Sequence, residues 1–405
     1  MTGTPLRRSW SLAALLASLA MLGPFSIDMY LPAFPAITRE FDASPLAVQQ
    51  TLSVYLFAYA FMMLWNGALS DAFGRRPIVL IGLGVYAVGT LACAIAGNIQ
   101  SLWLSRALQG LSAGTGLVIG RAVIRDRFHG PEAQRLMSQI TLVFGIAPAL
   151  APIIGGALLN TLGWRWIFWA LLAWVAATIT WTARHLPETL PRAARQPLHP
   201  RVLWRNYRAV LTHRDFLLLS LIPALNFAAF FIYVAVAPWF LIDQLGISTW
   251  GFAALFLPLI AGVLIGATMS GRLAGRLPPR ATVSLGFRFM LGAAAANAVT
   301  CALLPPNPWW NIAPLFVFTI GSSIVMPSIT LLLLDLFPTM RGMASSLQGF
   351  IQFALAGFNS GSIAPLLDAT LMRMAAGMAV FTLLSSALWW LYQHRQPSAA
   401  ALAQG

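Results

Sequence analysis

The chain has 405 residues, of which 59% are hydrophobic and only 9% charged. A soluble protein of this size needs far more polar surface, so the composition excludes a soluble enzyme or binding module and indicates a chain that crosses a membrane many times. The formal charge of +14 comes from 25 arginines, with no lysine, against 11 acids, and where those arginines sit decides whether nucleic acid or a lipid surface is the basic chain's partner.

Apolar runs bounded by proline, glycine and charge predict twelve spans. The first six cover about 11–36, 46–69, 77–97, 101–123, 136–161 and 164–186. A polar stretch, 187–215, follows with Arg192, Arg195, Arg201, Arg205, Arg208 and Arg214. The second six spans cover about 216–241, 250–271, 281–304, 310–334, 340–365 and 370–393. The expected organisation is an all-α integral membrane protein: an N-terminal six-helix bundle in 1–186, a cytoplasmic linker in 187–215, and a C-terminal six-helix bundle and tail in 216–405. Arg7 and Arg8 before SWSLAALLASLAML resemble the start of a signal peptide. The apolar stretch continues well past signal-peptide length, so an uncleaved first helix is expected. Cys93 and Cys301 fall inside spans, where they act as small hydrophobes and imply neither a disulfide nor a metal site.

Placing both termini inside puts Arg7, Arg8, Arg75, Arg76, Arg121, Arg125, Arg127, Arg135, Arg184, the six linker arginines, Arg272, Arg276, Arg280, Arg341 and Arg395 on the cytoplasmic side. Only Arg39, Arg165 and Arg373 fall in outer loops. This asymmetry supports the twelve spans and their orientation. It also accounts for the positive charge by topology and contact with the cytoplasmic leaflet, so nucleic acid is not an expected partner.

Two charges of opposite sign lie deep in the first half. Asp28 is the one charge between Ser11 and Ala36, about eight residues from the outer end of the first span, and an ionised side chain at such depth costs roughly 2.5 to 3.5 kcal/mol. It therefore faces a polar cavity or a partner, unless it snorkels to the outer interface. Arg106 lies about seven residues into the fourth span, roughly 10 Å at 1.5 Å per residue. The two share one layer, and each lowers the other's desolvation cost if they approach; the spacing leaves contact between them open. Arg288, inside the ninth span, reads equally as an interfacial arginine or a cavity charge.

Between spans two and three the chain reads GALSDAFGRRP, Gly67 to Pro77. Gly67 permits close helix approach, Asp71 can pair with an arginine or accept from a helix N-terminus, and Gly74, Arg75 and Arg76 shape and hold the inner loop. This stretch resembles the loop signature of the major facilitator superfamily, in the form carried by its drug/proton antiporter branch. The fourth span, SRALQGLSAGTG, supplies Arg106, Gln109 and Gly110 where that family has an arginine motif. The fifth, GIAPALAPIIGG, with Gly145, Pro148, Pro152, Gly155 and Gly156, is similar to the antiporter motif of the efflux branch; its small residues allow tight packing and its prolines kink the span and remove backbone donors. IDMYLPAFP around Asp28, and RAVIRDRF from Arg121 to Phe128, resemble the bicyclomycin-resistance (Bcr/CflA) group. The second half keeps glycines and arginines in GRLAGRLPPR, Gly271 to Arg280, but has no acid where Asp71 falls, as a diverged repeat would. Asp335 reads as a gate or loop contact.

The resemblance implies an exporter of small, largely apolar drugs or antibiotics in the bacterial inner membrane, working by alternating access. Asp28 is expected as the proton and substrate switch, Arg106 as its coupling partner, and Gly67, Asp71, Gly74, Arg75 and Arg76 as a conformational latch. Tyr30, Tyr55, Tyr59, Gln109 and Asn226 are candidate cavity-lining residues, an aromatic wall being suited to flat apolar molecules. No cofactor or metal is expected, the proton gradient being the energy source, and a monomer containing both halves suffices. The rival is a proton symporter or facilitator importing a small metabolite, since one fold carries both directions. An enzyme or an ATP-driven pump is disfavoured because no nucleotide-binding glycine loop, zinc-ligand spacing or catalytic triad stands in the sequence.

Overall fold

The structure is a computed structural model, and the residues it describes are 5–128, 130–338 and 340–395. They are helical nearly throughout, with one isolated bridge between Ala274 and Leu277. In chain order the first half contains α1 (Pro5–Asp28), α2 (Phe34–Glu40), α3 (Pro45–Phe73), α4 (Arg75–Ala94), α5 (Ile99–Ala113), α6 (Thr115–Arg127), α7 (Gly130–Leu162) and α8 (Arg165–His185). The rest contains α9 (Pro200–Leu211), α10 (Arg214–Ala235), α11 (Ala253–Leu273), α12 (Pro279–Leu303), α13 (Pro308–Asp335), α14 (Arg341–Phe358), α15 (Ala364–Leu367) and α16 (Leu371–Arg395). Eleven helices among the described residues are long and apolar enough to cross a membrane. The remaining predicted span falls on α7, whose described apolar stretch is the shorter Ile146–Leu162.

Local sequence explains where these helices begin. Ser44 accepts a hydrogen bond from the Ala47 amide at 3.2 Å ahead of Pro45, and Asn98 forms a reciprocal cap with Ser101. Asn307 accepts from the Trp309 amide at 3.0 Å, again with proline in the first turn. Each arrangement satisfies amides that a helix leaves orphaned, and proline there loses nothing because its missing donor has no intrahelical use.

The first span is broken. α1 ends at Asp28, a 3-10 turn covers Leu31–Ala33, and α2 resumes at Phe34. Pro32 stands four residues after Asp28 and has no N–H to give its carbonyl, and Pro35 does the same to Leu31. The fourth span divides at Gly114 into α5 and α6. In the second half, π-helical segments occupy Trp239–Gln244, after Pro238, and Asn359–Ile363, just before Pro365. Interruptions of this kind are tolerated in a membrane only where protein or a water-filled cavity resatisfies the backbone.

The chain divides into two compact units, Met1–His199 with Gly246–Phe256, and Pro200–Leu245 with Leu257–Gly405. In the first, α1 packs on α6, α7 and α8, and α3, α4 and α5 pack on one another. Side-chain hydrogen bonds add to this packing: the Trp174 indole donates to Ser18 at 2.8 Å, joining α8 to α1. In the second, α10 is central, packed on α13, α14 and α16. Asn297 of α12 donates to the Tyr233 hydroxyl at 2.6 Å, Asn359 to the Ala228 carbonyl at 3.0 Å, and Ser385 to the Ile222 carbonyl at 3.2 Å. Interhelical bonds of this type are worth about 0.6 kcal/mol each in a membrane, enough to fix register without dominating stability.

Candidate functional site

Asp28 lies at the break in the first span and is 5% exposed. Among the described residues no side chain or amide donates a hydrogen bond to its carboxyl group, and none forms an ion pair with it. The break positions it. Gly155 of α7 comes so close to the residue after Asp28 that a Cβ at 155 would stand 2.2 Å from the Met29 carbonyl oxygen. The antiporter-type motif in α7 is therefore packed directly against the turn that carries the carboxylate.

Arg106, on α5, is completely buried, and its surroundings differ from a simple pair with Asp28. Its guanidinium carbon lies 4.7 Å from the centre of the Tyr30 ring and 4.2 Å from that of Tyr55. Its Nη1 donates to Oε1 of Gln109, one helical turn on, and Gln109 Nε2 donates to the Thr90 hydroxyl at 2.8 Å. Tyr30 is held in turn by Thr51 at 2.8 Å, and the Tyr55 hydroxyl donates to the Gly23 carbonyl at 3.3 Å. The aromatic faces supply part of the solvation that water would give a cation. They leave it incomplete, since Nε and Nη2 of Arg106 have no hydrogen-bond partner among the described residues.

Close approach of backbones makes this cage possible. A Cβ at Gly110, one turn from Arg106, would stand 2.3 Å from the Tyr55 carbonyl, so α5 and α3 meet at a spacing that any larger residue prevents. A second buried pair, Ser26 with the Tyr86 hydroxyl at 2.5 Å, fixes α1 to α4 just before Asp28.

In this conformation the candidate cavity tyrosines are packed inward. Tyr30, Tyr55 and Tyr59 are buried, as is Gln109, and they do not form an open aromatic wall; Tyr30 and Tyr55 spend their ring faces on Arg106. Phe57 and Phe61, on the same spans, are the exposed aromatics. Asn226 belongs to the second unit, where it is buried and its Oδ1 has no hydrogen-bond partner among the described residues.

At the other end of the first unit, the loop motif forms a charged cluster. Arg75 is buried and donates through Nη1 to Asp71 and Ser70, and through Nε to Asp126 of α6 at 3.0 Å. Its amide donates to Glu188 at 3.0 Å, Glu188 lies 3.7 Å from Arg195, and the Gln196 amide donates to the Asp71 carbonyl at 3.1 Å. The segment after α8 is thus strapped over the loop. Gly74 makes room for it: its φ is +102°, and a Cβ there would stand 2.3 Å from the Glu188 carboxylate. Arg76 donates to the Ala183 carbonyl at 2.6 Å. Gly67, by contrast, has nothing within 4 Å of its would-be Cβ and serves no close approach in this conformation.

In α7, Pro148, Pro152, Gly155 and Gly156 all lie within one continuous helix, and Asn160 donates to the Gly156 carbonyl at 2.7 Å. The surroundings of Gly145 lie outside the described residues. Arg288 is exposed, in keeping with the interfacial reading. Asp335 makes an exposed loop contact with Arg341 at 3.5 Å. Sequence reasoning missed Thr90 and Thr51 beneath the arginine cage and Asp126 and Glu188 around Arg75. Asp126 stood in a quoted motif, and Glu188 is the first acid after the sixth span; neither position announces its partner.

A family model described as Major Facilitator Superfamily matches residues 16–361. The chain is 31% identical over 383 residues to the uncharacterized MFS-type transporter YdgK of Bacillus subtilis (strain 168), covering 93% of this chain and 94% of the relative. It is 30% identical over 373 residues to the bicyclomycin resistance protein homolog of Haemophilus influenzae, covering 91% of each. A crystal structure of the peptide transporter POT superposes with a TM-score of 0.75 at 16% identity, over 95% of this chain and 93% of that one, which shows the shared fold.

Proposed function

Because this chain belongs to the Major Facilitator Superfamily, and so is a multi-pass membrane transporter, we propose that it exports small, largely apolar drugs or antibiotics in exchange for protons, by alternating access. The bacterial inner membrane is its site in this reading, with both termini cytoplasmic. The observation that carries it is the presence in one unit of two buried charges that form no ion pair among the described residues: Asp28, at a helix break, and Arg106, whose Nε and Nη2 have no hydrogen-bond partner among those residues.

The chemistry follows from competition. A proton on Asp28 removes its charge and the cost of holding that charge away from water. Loss of the proton restores a carboxylate that seeks donors, and the free Nε and Nη2 of Arg106 are donors already held in place by Tyr30, Tyr55 and Gln109. A state in which the carboxylate and the guanidinium pair differs in packing from one in which they do not, so protonation shifts the balance between conformations. A substrate that binds only one of these states then exchanges with the proton. The relative named for bicyclomycin resistance supports export and an antibiotic as cargo.

Cells deprived of their own drug exporters and expressing this protein are expected to hold less of a small, largely apolar antibiotic, or of bicyclomycin, than control cells. A protonophore should erase the difference. Higher accumulation in expressing cells, driven by the inward proton gradient, would contradict export and favour a symporter.

A further inference from the structure

The short helix α9 carries a surface that the transport reading does not use. Its twelve residues, PRVLWRNYRAVL, contain three arginines and no acid. With about 3.6 residues per turn, Leu203, Tyr207, Val210 and Leu211 form one apolar arc. Tyr207 and Val210 are buried, and the helix packs on α10 and α14 of its own unit. Trp204 continues that arc at its edge, yet it is 68% exposed. Beside it run Arg208, Arg201 and Arg205, all exposed and none in an ion pair with an acid among the described residues. Val202, on the far flank, is 42% exposed.

An exposed indole next to a stripe of free guanidinium groups, on a helix that lies between membrane spans, is the pattern of a helix resting in a membrane interface. The indole suits the boundary between acyl chains and headgroups, with its ring in the apolar layer and its N–H in the polar one. Guanidinium forks match phosphate oxygens, two donors to two acceptors. We propose that the Trp204, Arg201, Arg205 and Arg208 face of α9 lies on the bilayer surface and binds anionic lipid headgroups. The orientation given under the proposed function makes these the headgroups of the cytoplasmic leaflet; binding itself depends on neither orientation nor direction of transport.

The full chain is reconstituted in vesicles of phosphatidylcholine alone and of phosphatidylcholine mixed with phosphatidylglycerol, and amide hydrogen exchange is followed across 200–211. Both leaflets have one composition, so either insertion direction reports the same contact. The anionic lipid is expected to slow exchange in α9 by roughly tenfold, with the effect lost in ~1 M salt and in the R201Q/R205Q/R208Q variant. Trp204→Ala should speed exchange in both lipid mixtures. Equal exchange in the two mixtures overturns the proposal, as does slowing that persists in the triple variant. Inorganic phosphate added to phosphatidylcholine vesicles is expected to leave exchange unchanged; slowing equal to that from phosphatidylglycerol would mark a soluble-phosphate site and overturn the membrane reading.

Discussion

A fully buried arginine is costly unless something replaces its water, and around Arg106 the replacement is two tyrosine faces and one amide oxygen. Each cation–π contact of a desolvated guanidinium contributes about 2 kcal/mol or more, but it leaves Nε and Nη2 without a hydrogen-bond acceptor among the described residues. The arginine is thus stable in place but still receptive to an anion. A lysine retains the charge and loses the planar stacking. Arg106→Lys is accordingly expected to reach the membrane in normal amount, to unfold at a lower temperature, and to lower drug export by about tenfold; export and thermal unfolding measured on the same preparation test this. Unchanged export would separate the aromatic cage from transport. At this scale the sequence was partly legible. Hydropathy and the helical rise predict Asp28 and Arg106 in one layer; the ring contacts of Arg106 arise where α5 meets α3 and the turn after α1 that carries Tyr30, and no local pattern encodes them.

At the scale of elements, two glycines that look alike in sequence do different work. Gly155 lets α7 touch the backbone at Met29, whereas Gly67 faces open space. Gly155→Val forces α7 away from the turn that carries Asp28, and overpacking of this kind costs about 1 to 3 kcal/mol; transport is expected to be lost while the helices remain inserted. Gly67→Ala is expected to stay within about 0.5 kcal/mol of the parent in stability. Thermal unfolding of the two variants side by side is the check, and equal behaviour would contradict the packing account. The charged cluster around Arg75 gives a related contrast. Arg75→Gln removes the ion-pair partner of both Asp71 and Asp126 and should destabilise by about 1.5 to 3 kcal/mol, more than Glu188→Gln, whose carboxylate meets two amides and a more distant Arg195. The spans were legible because hydrophobic runs and caps are local signals. The break at Asp28 departs from the single span expected over 11–36, although Pro32, four residues on, is a local cause of it. The contacts of Asp126 and Glu188 with Arg75 are not legible, since they join segments more than fifty residues apart.

At the scale of the whole molecule, the arginine distribution is the strongest organising signal. Loops assigned to the cytoplasmic side hold nearly all the arginines outside the spans, and the free arginines of α9 fall in the longest of them. Single cysteines placed in the segment 192–198 and in the loop 304–308 of a variant lacking Cys93 and Cys301 are expected to react with a membrane-impermeant reagent from opposite sides of sealed vesicles, the first from the cytoplasmic face. Reaction of both from one side would contradict the predicted topology. One division between the units, at His199/Pro200, falls within the long polar interruption, whereas Gly246–Phe256, grouped with the first unit, is marked by no comparable break in the sequence.

The central claim is that Asp28 exchanges protons for drug, and everted membrane vesicles test it most directly. Respiration establishes a pH gradient, bicyclomycin or another candidate antibiotic is added, and collapse of the gradient is followed for the parent protein and for Asp28→Asn at matched amounts in the membrane. The account predicts collapse with the parent and none with Asp28→Asn, because the amide takes the carboxylate's place without its proton. Equal collapse with both proteins would show that the proton travels through another group, and would contradict the role given to Asp28.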